Sequence, residues 1–185
     1  RRLKLLAETA TQPLIFLLNE TLMQVKQPIF FDIYKDNKAT DLNELVQGLM
    51  SPQASLSPKY FYDEMGSVLF DAITLLPEYY PTRTEFEILT QQATQIHAHF
   101  PQQATWVDLG AGNCQKAINL FAHTMPASYV AVDISVDYLS RHLKDLQAQY
   151  ASLNVMGVGM DFSKSLAFPA ELQDHLASKP ILALY

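Results

Sequence analysis

Hydrophobic and polar positions change period several times along this chain, and the sharpest change falls near residue 104. Residues 104–109 form a short apolar run, read as a buried strand, that ends in the small-residue turn Gly110-Ala111-Gly112. Ala117, Ile118, Leu120 and Phe121 then recur at helical spacing. A second apolar run over 129–132 closes on Asp133, and a helix follows over about 136–150 with Leu139, Leu143 and Leu146 on one face. The run 154–159 reads as a third strand leading to Asp161 and Phe162, 169–177 as a third helix, and 181–184 as a fourth strand. Strand and helix alternate throughout, the pattern of an α/β fold whose doubly wound parallel sheet is covered on both faces.

Before residue 104 the pattern is mostly helical. Residues 3–25 read as two helical pieces split at Pro13, which cannot occupy a helix interior without a kink, and 14–18 are apolar all round. Residues 29–34 suit a short strand or extended arm, and 35–38 a polar turn. Thr40 or Asp41 is placed to cap a helix running to Met50, with Glu44 completing a capping box if Asp41 is the cap. Residues 51–58, with two prolines and three serines, form a connector. A helix with Val68, Leu69, Ala72, Ile73 and Leu76 at its apolar positions comes next. Pro77 and Pro81 bracket Tyr79 and Tyr80, which predicts a rigid, non-helical turn. Thr84 is then expected to cap a helix to about His99, turning Phe86, Leu89, Ala93 and Ile96 inward, before Pro101 ends it. The chain accordingly divides into an N-terminal segment over 1–39, a helical region over 40–103 and an α/β region over 104–185.

Composition narrows the function classes. With 49% hydrophobic and 17% charged residues the chain supports a packed core. Its net charge of −6, without a basic block, disfavours nucleic acid, because neutralising phosphates needs clustered Lys and Arg. Cys114 is the only cysteine, which excludes an internal disulfide and fits a reducing, cytoplasmic setting. No apolar run approaches the ~20 residues that span a bilayer. The basic start Arg1-Arg2-Leu3-Lys4 is followed by Glu8, Thr9, Thr11 and Gln12, a poor secretory signal.

The candidate chemistry gathers at the strand ends. Gly110 and Gly112 allow a sharp turn and close approach of a ligand, and the next helix aims its first N–H groups at that ligand. Gln115 occupies the third glycine position of the dinucleotide fingerprint, which counts against NAD and favours a ligand without a pyrophosphate. Asp133, at roughly the ~20-residue spacing such folds use, is placed to accept hydrogen bonds from ribose hydroxyls, although a turn or N-cap role also fits it. Gly110, Asp133 and Asp161 all fall at strand carboxyl ends, beside the topological switch at the first strand of the α/β run, and so converge on one crevice. Cys114 lies where helix N-termini lower thiol pKa values, but no Cys–His spacing supports a nucleophile, which leaves it a packing residue. His97 and His99 fall on different helix faces, and His123, His142 and His175 are scattered, so no metal-ligand cluster emerges.

Three segments together identify a family. Residues 57–63 (Ser-Pro-Lys-Tyr-Phe-Tyr-Asp), 75–83 (Leu-Leu-Pro-Glu-Tyr-Tyr-Pro-Thr-Arg) and 108–112 (Asp-Leu-Gly-Ala-Gly) resemble the histidine-specific S-adenosylmethionine-dependent methyltransferases. The resemblance covers about 40–185 and implies a class I methyltransferase core, preceded by a helical substrate cap over 40–103. It further implies methylation of an amino acid, with the α-amino group of histidine as the leading substrate and ergothioneine biosynthesis as the setting. S-Adenosylmethionine is the implied cofactor, held by Gly110, Lys116, Asp133, Asp161 and Phe162: Lys116 near the methionine carboxylate, Asp133 on the ribose, Asp161 and Phe162 around the adenine. Tyr62, Phe70 and Tyr79 match the family's aromatic substrate residues, with Tyr79 offering the hydroxyl nearest the amine; packing of the helical region against the sheet is the other role open to all three. Asp108 stands where the best-known members carry glutamate. The family's next motif, a Gly-Ser-Thr-Ile-Gly-Asn-like loop, would begin just past Tyr185, so the chain is expected to hold most of the cofactor site and part of the substrate site. Two other readings compete: a member of this family acting on a different amine, and a non-catalytic module that associates through the open edge of its fourth strand.

Overall fold

The computed structural model describes residues 26–34 and 38–185, so the helical pieces expected over 3–25 lie outside the described residues. In chain order the elements are β1 (Ile29–Asp32), α1 (Lys38–Met50), a 3-10 turn (Pro58–Phe61), α2 (Glu64–Thr74), α3 (Tyr80–Gln91), α4 (Ala93–His97), β2 (Thr105–Leu109), α5 (Gln115–Phe121), β3 (Ser128–Asp133), α6 (Val136–Gln149), β4 (Asn154–Gly159), α7 (Ala170–Ala177) and β5 (Ile181–Leu184). The strands form one parallel sheet in the order β1-β4-β3-β2-β5. The chain steps outward from β2 through β3 to β4, then returns to the other side of β2 for β5. That reversal is the topological switch, and it opens a crevice at the strand carboxyl ends.

Alternation along the strands builds two cores. Trp106, Tyr129, Ala131 and Val155 pack on one face with Leu120 and Phe121 of α5 and Leu139, Leu143 and Leu146 of α6. Val107, Val130, Val132, Met156 and Val158 pack on the other with Leu172 and Leu176 of α7. Period-two alternation with both faces covered is why these strands read as continuous apolar runs. The segment at 29–34 resolves as a true strand: β1 pairs in register with β4, Ile29 opposite Met156 and Asp32 opposite Gly159. Among the described residues the outer side of β5 carries no partner strand.

The helical region departs from expectation at three places. The helix expected to be capped at Thr40 or Asp41 begins at Lys38, so Asp41 lies inside it and no capping box forms. Asp41 and Glu44 instead pair with the Lys59 ammonium, at 2.8 and 2.9 Å, so both carboxylates are engaged away from the helix's first N–H groups. Tyr80 already begins α3, because Pro81, with its fixed φ and missing N–H, suits a first helical turn better than a bend. Thr84 is therefore an interior residue. The single helix expected to about His99 breaks at Gln92 (φ −102°, ψ 10°), giving α3 and α4, and Phe86 is 49% exposed instead of inward. Among the described residues, no helix is long and apolar enough to cross a membrane.

Candidate functional site

The crevice is built from the carboxyl ends of β2, β3 and β4. After β2 the chain turns through Gly110 (φ 74°) and Gly112 (φ 52°), a left-handed path open to glycine at little cost, and Cys114 follows at φ 60°. The amides of Gly110 and Ala111 donate to the Val132 carbonyl at 2.8 and 3.1 Å, which ties the turn to β3. The Gly112 N–H donates to Asp133 Oδ2 at 2.8 Å and the Ser135 N–H to Asp133 Oδ1 at 2.9 Å. Each carboxylate oxygen accepts more than one hydrogen bond, so Asp133 retains capacity for a pair of vicinal hydroxyls. A side chain at Gly110 would meet only the ring tip of Phe162, 3.8 Å away, and one at Gly112 would meet nothing within 4 Å. The face of this turn is thus open, shaped for a ligand lying against bare backbone. That cradle, with Asp133 beside it, fits the ribose and methionine portions of S-adenosylmethionine.

The other expected cofactor residues are already engaged within the protein. Lys116, in the first turn of α5, lies 3.2 Å from Glu85 of α3. Asp161 turns into an ion cluster: its Oδ2 is 3.5 Å from Lys59 Nζ and 3.9 Å from Lys164 Nζ, while its Oδ1 accepts from Ser163 Oγ at 2.5 Å. The same two lysines pair with Asp41 (2.8 and 3.3 Å) and Glu44 (2.9 and 2.7 Å) of α1. Burial opposes charge on both Lys59 and Asp41. Hydrogen bonds outweigh it, raising the Lys59 ammonium and lowering the Asp41 carboxyl from their ordinary values. Tyr34 also bonds Asp41, and burial together with that carboxylate pushes its phenol up to about 12.

Tyr62, Phe70 and Tyr79 come together as one edge-to-face series, Tyr62 to Phe70 at 6.2 Å and Phe70 to Tyr79 at 5.8 Å between ring centroids. Asp63 begins α2, its Oδ1 accepting from Gly66 N–H at 2.7 Å, and so delivers Phe70 next to Tyr62. Arg83 fixes Tyr79 from the other side, donating to the carbonyls of Leu76 (2.7 Å), Tyr79 (3.2 Å) and Pro77. Tyr62 and Phe70 remain open to solvent, 42% and 37% exposed, while Tyr79 is half-buried.

Asp108 and Cys114 sit under the crevice, not in it. The Tyr129 hydroxyl donates to Asp108 Oδ2 at 2.8 Å, and burial raises the Asp108 carboxyl against that donation. Burial also pushes the Cys114 thiol up to about 12, which leaves it protonated and inert. Sequence reasoning missed Lys59, Ser67, Asp71 and Asn113, all of which tie the helical region to the crevice. The sequence signal was that Lys59 lies in one motif segment and Asn113 directly follows another; Ser67 and Asp71 carried none, since polar residues on helices ordinarily face water.

A parallel sheet with its switch at β2, an open glycine turn and a carboxylate at the end of β3 define the class I methyltransferase fold, present in part. Residues 41–185 match the family described as histidine-specific methyltransferase, SAM-dependent, and the chain belongs to that family. It is 36% identical over 127 residues to the histidine N-alpha-methyltransferase of Mycobacterium tuberculosis, covering 66% of this chain and 39% of that protein. It is 34% identical over 112 residues to the ergothioneine biosynthesis protein 1 of Neurospora crassa, covering 58% and 13% respectively. With the 4-dimethylallyltryptophan N-methyltransferase easF of Claviceps purpurea it shares 31% identity over 107 residues, 56% of this chain and 31% of that one. The chain thus spans well under half the length of these relatives.

Proposed function

We propose that this chain forms the cofactor half and the aromatic side of the substrate site of an amino-acid N-methyltransferase, with histidine as the leading substrate. The observation that carries the reading is the paired engagement of Asp133 by the Gly112 and Ser135 amides beside an open glycine turn. In this reading Asp133 takes the ribose hydroxyls, Gly110 lies against the methionine portion with Lys116 toward its carboxylate, and Asp161 and Phe162 border the adenine. S-Adenosylmethionine supplies an electrophilic methyl group on sulfur. The protein's part is geometric: it holds an amine nitrogen in line with that methyl and excludes water. An α-amino group has a reference pKa of about 7.7–8.0, so part of it is already neutral near pH 7 and no strong base is needed. Tyr62, Phe70 and Tyr79 stack an aromatic side chain, and the Tyr79 hydroxyl orients the amine.

Residues 40–103 act in this reading as the substrate cap over the core of 104–185, in a cytoplasmic protein. The activities for which those relatives are named, on histidine and on 4-dimethylallyltryptophan, support an aromatic amino-acid substrate. A panel of amines assayed with the protein decides among them: preference for a non-histidine amine rejects histidine. Calorimetric titration of S-adenosylmethionine tests the crevice itself. Wild-type binding that Asp133→Ala weakens by about a hundredfold, the loss of two hydrogen bonds to a charged group, supports the reading. Undiminished binding by Asp133→Ala rejects it. A second reading, self-association through the outer side of β5, which has no partner strand among the described residues, draws support from the exposure of Ile181 (51%).

A further inference from the structure

Helix α2 reaches Asp133 from two directions. Asp71, next to Phe70, accepts from Asn113 Nδ2 at 3.0 Å through Oδ1 and from the Tyr138 hydroxyl through Oδ2. Asn113 directly follows Gly112 in the glycine turn, and its Oδ1 accepts from the Gln115 N–H at 3.1 Å, at the start of α5. One turn earlier on α2, Ser67 Oγ donates to Ser135 Oγ at 3.0 Å in a buried contact. Ser135 and Gly112 are the two residues whose amides hold the Asp133 carboxylate. A closed circuit results, running from α2 through Ser135, Asp133, Gly112 and Asn113 back to α2.

The turn inside this circuit needs outside support. Cys114 adopts a left-handed conformation that a residue with a Cβ disfavours, so the turn's own backbone bonds (Gly110 and Ala111 N–H to the Val132 carbonyl, Cys114 N–H to the Ala111 carbonyl at 2.7 Å) hold a strained path. Asp71 supplies that support from another element. Burial, with the hydrogen bond to Asp71, raises the Tyr138 phenol and keeps it a donor, so both oxygens of Asp71 stay committed.

We propose that Asp71 is a positioning residue for the cofactor: touching neither cofactor nor amine, it fixes Asn113 and thereby holds the glycine turn with the Gly112 N–H aimed at Asp133. The inference rests on the reading of the crevice as the S-adenosylmethionine site. A turn held in its bound shape before the ligand arrives saves the ordering that a loose turn would undergo on binding, and the saving appears in affinity. Because Phe70 rides on the same helix, the same contact sets the aromatic face against the cofactor crevice.

Calorimetric titration of S-adenosylmethionine into wild type, Asp71→Ala, Asp71→Asn, Asn113→Ala and the Asp71→Ala/Asn113→Ala pair tests this, with thermal melting of each protein alongside. Asp71→Ala is expected to raise Kd about tenfold, the loss of one hydrogen bond to a charged group. Asn113→Ala is expected to match it, and the pair to be no worse than either single change, because each breaks the same contact. Asp71→Asn keeps an acceptor for Asn113 and is expected to stay within about threefold of wild type. Should Asp71→Ala fail to fold, Asn113→Ala breaks the contact from the other side and decides the question. An Asp71→Ala or Asn113→Ala protein with lowered melting temperature but Kd within about twofold of wild type overturns the proposal, as do fully additive losses. Wild-type protein that takes up no S-adenosylmethionine overturns the reading of the crevice itself, whereas wild-type binding with unaffected variants overturns the role of Asp71 alone.

Discussion

His97 shows what one residue's surroundings do to its chemistry. Both ring nitrogens are buried without a hydrogen-bond partner, and the ring packs against Phe100 at 4.7 Å and His123 at 5.2 Å between centroids. Burial, with the neighbouring His123, depresses its pKa from the usual 6.5. A histidine depressed in this way binds its proton more readily once the chain opens. Its contribution to stability is therefore full above the unfolded pKa and is lost as pH falls through the folded one. Melting temperature is expected to fall between pH 7.5 and 5.5, and His97→Phe, which keeps the ring against Phe100, is expected to shrink that fall. An equal fall in the variant rejects the assignment. The positions of Asp133, Gly110 and Gly112 at strand ends were legible from the sequence because the apolar runs of β2 and β3 stop there. Asp161 was legible as an acid at the end of β4. Its partnership with Lys59 was not, since 102 residues separate them in the chain.

At the scale of elements, the ion cluster joins α1, the 3-10 turn and the segment after β4. Lys59, Asp41 and Asp161 have side chains about one-tenth exposed (10%, 10% and 8%). Removing the central ammonium leaves these carboxylates only the half-exposed Lys164, so the expected cost falls below the ~3 kcal/mol of a buried pair that loses its one partner, to about 2 kcal/mol. Lys59→Met is expected to lower stability by about that amount, and limited proteolysis is expected to cut first in the 51–58 connector as α1 loosens. Lys59→Arg, which keeps the charge, is expected to recover most of the loss. A Lys59→Met protein as stable and protease-resistant as wild type rejects the clasp. The elements of the α/β region were readable because their apolar periods match their burial. The start of α1 and the break after Gln91 were not, because Asp41 is taken up by a lysine 18 residues away and Gln92 leaves the helical conformation with no proline or glycine to signal it.

At the scale of the whole molecule, the sheet ends in two edge strands, β1 beside β4 and β5 beside β2, neither with a partner strand on its outer side among the described residues, and β5 is apolar throughout. An apolar edge of this kind pairs with another chain unless it is covered or charged. Sedimentation velocity is expected to show a mass that rises with concentration, and Ala183→Lys, which places a charge on the exposed edge, is expected to suppress the rise. A strictly monomeric wild-type profile rejects self-association.

The sequence alone determined the parallel α/β core, the crevice at its strand ends and the family. Each follows from local signals: apolar period, glycine at a turn, an acid after a strand, and a short run of specific residues. Only the tertiary structure decided how the helical region is fastened to that crevice. Asp71 meets Asn113, Ser67 meets Ser135, and Lys59 gathers Asp41, Glu44 and Asp161. These contacts join residues from 15 to 102 positions apart. A polar side chain's partner across such a distance is set by how helices pack on the sheet, which the periodicity of the chain does not encode.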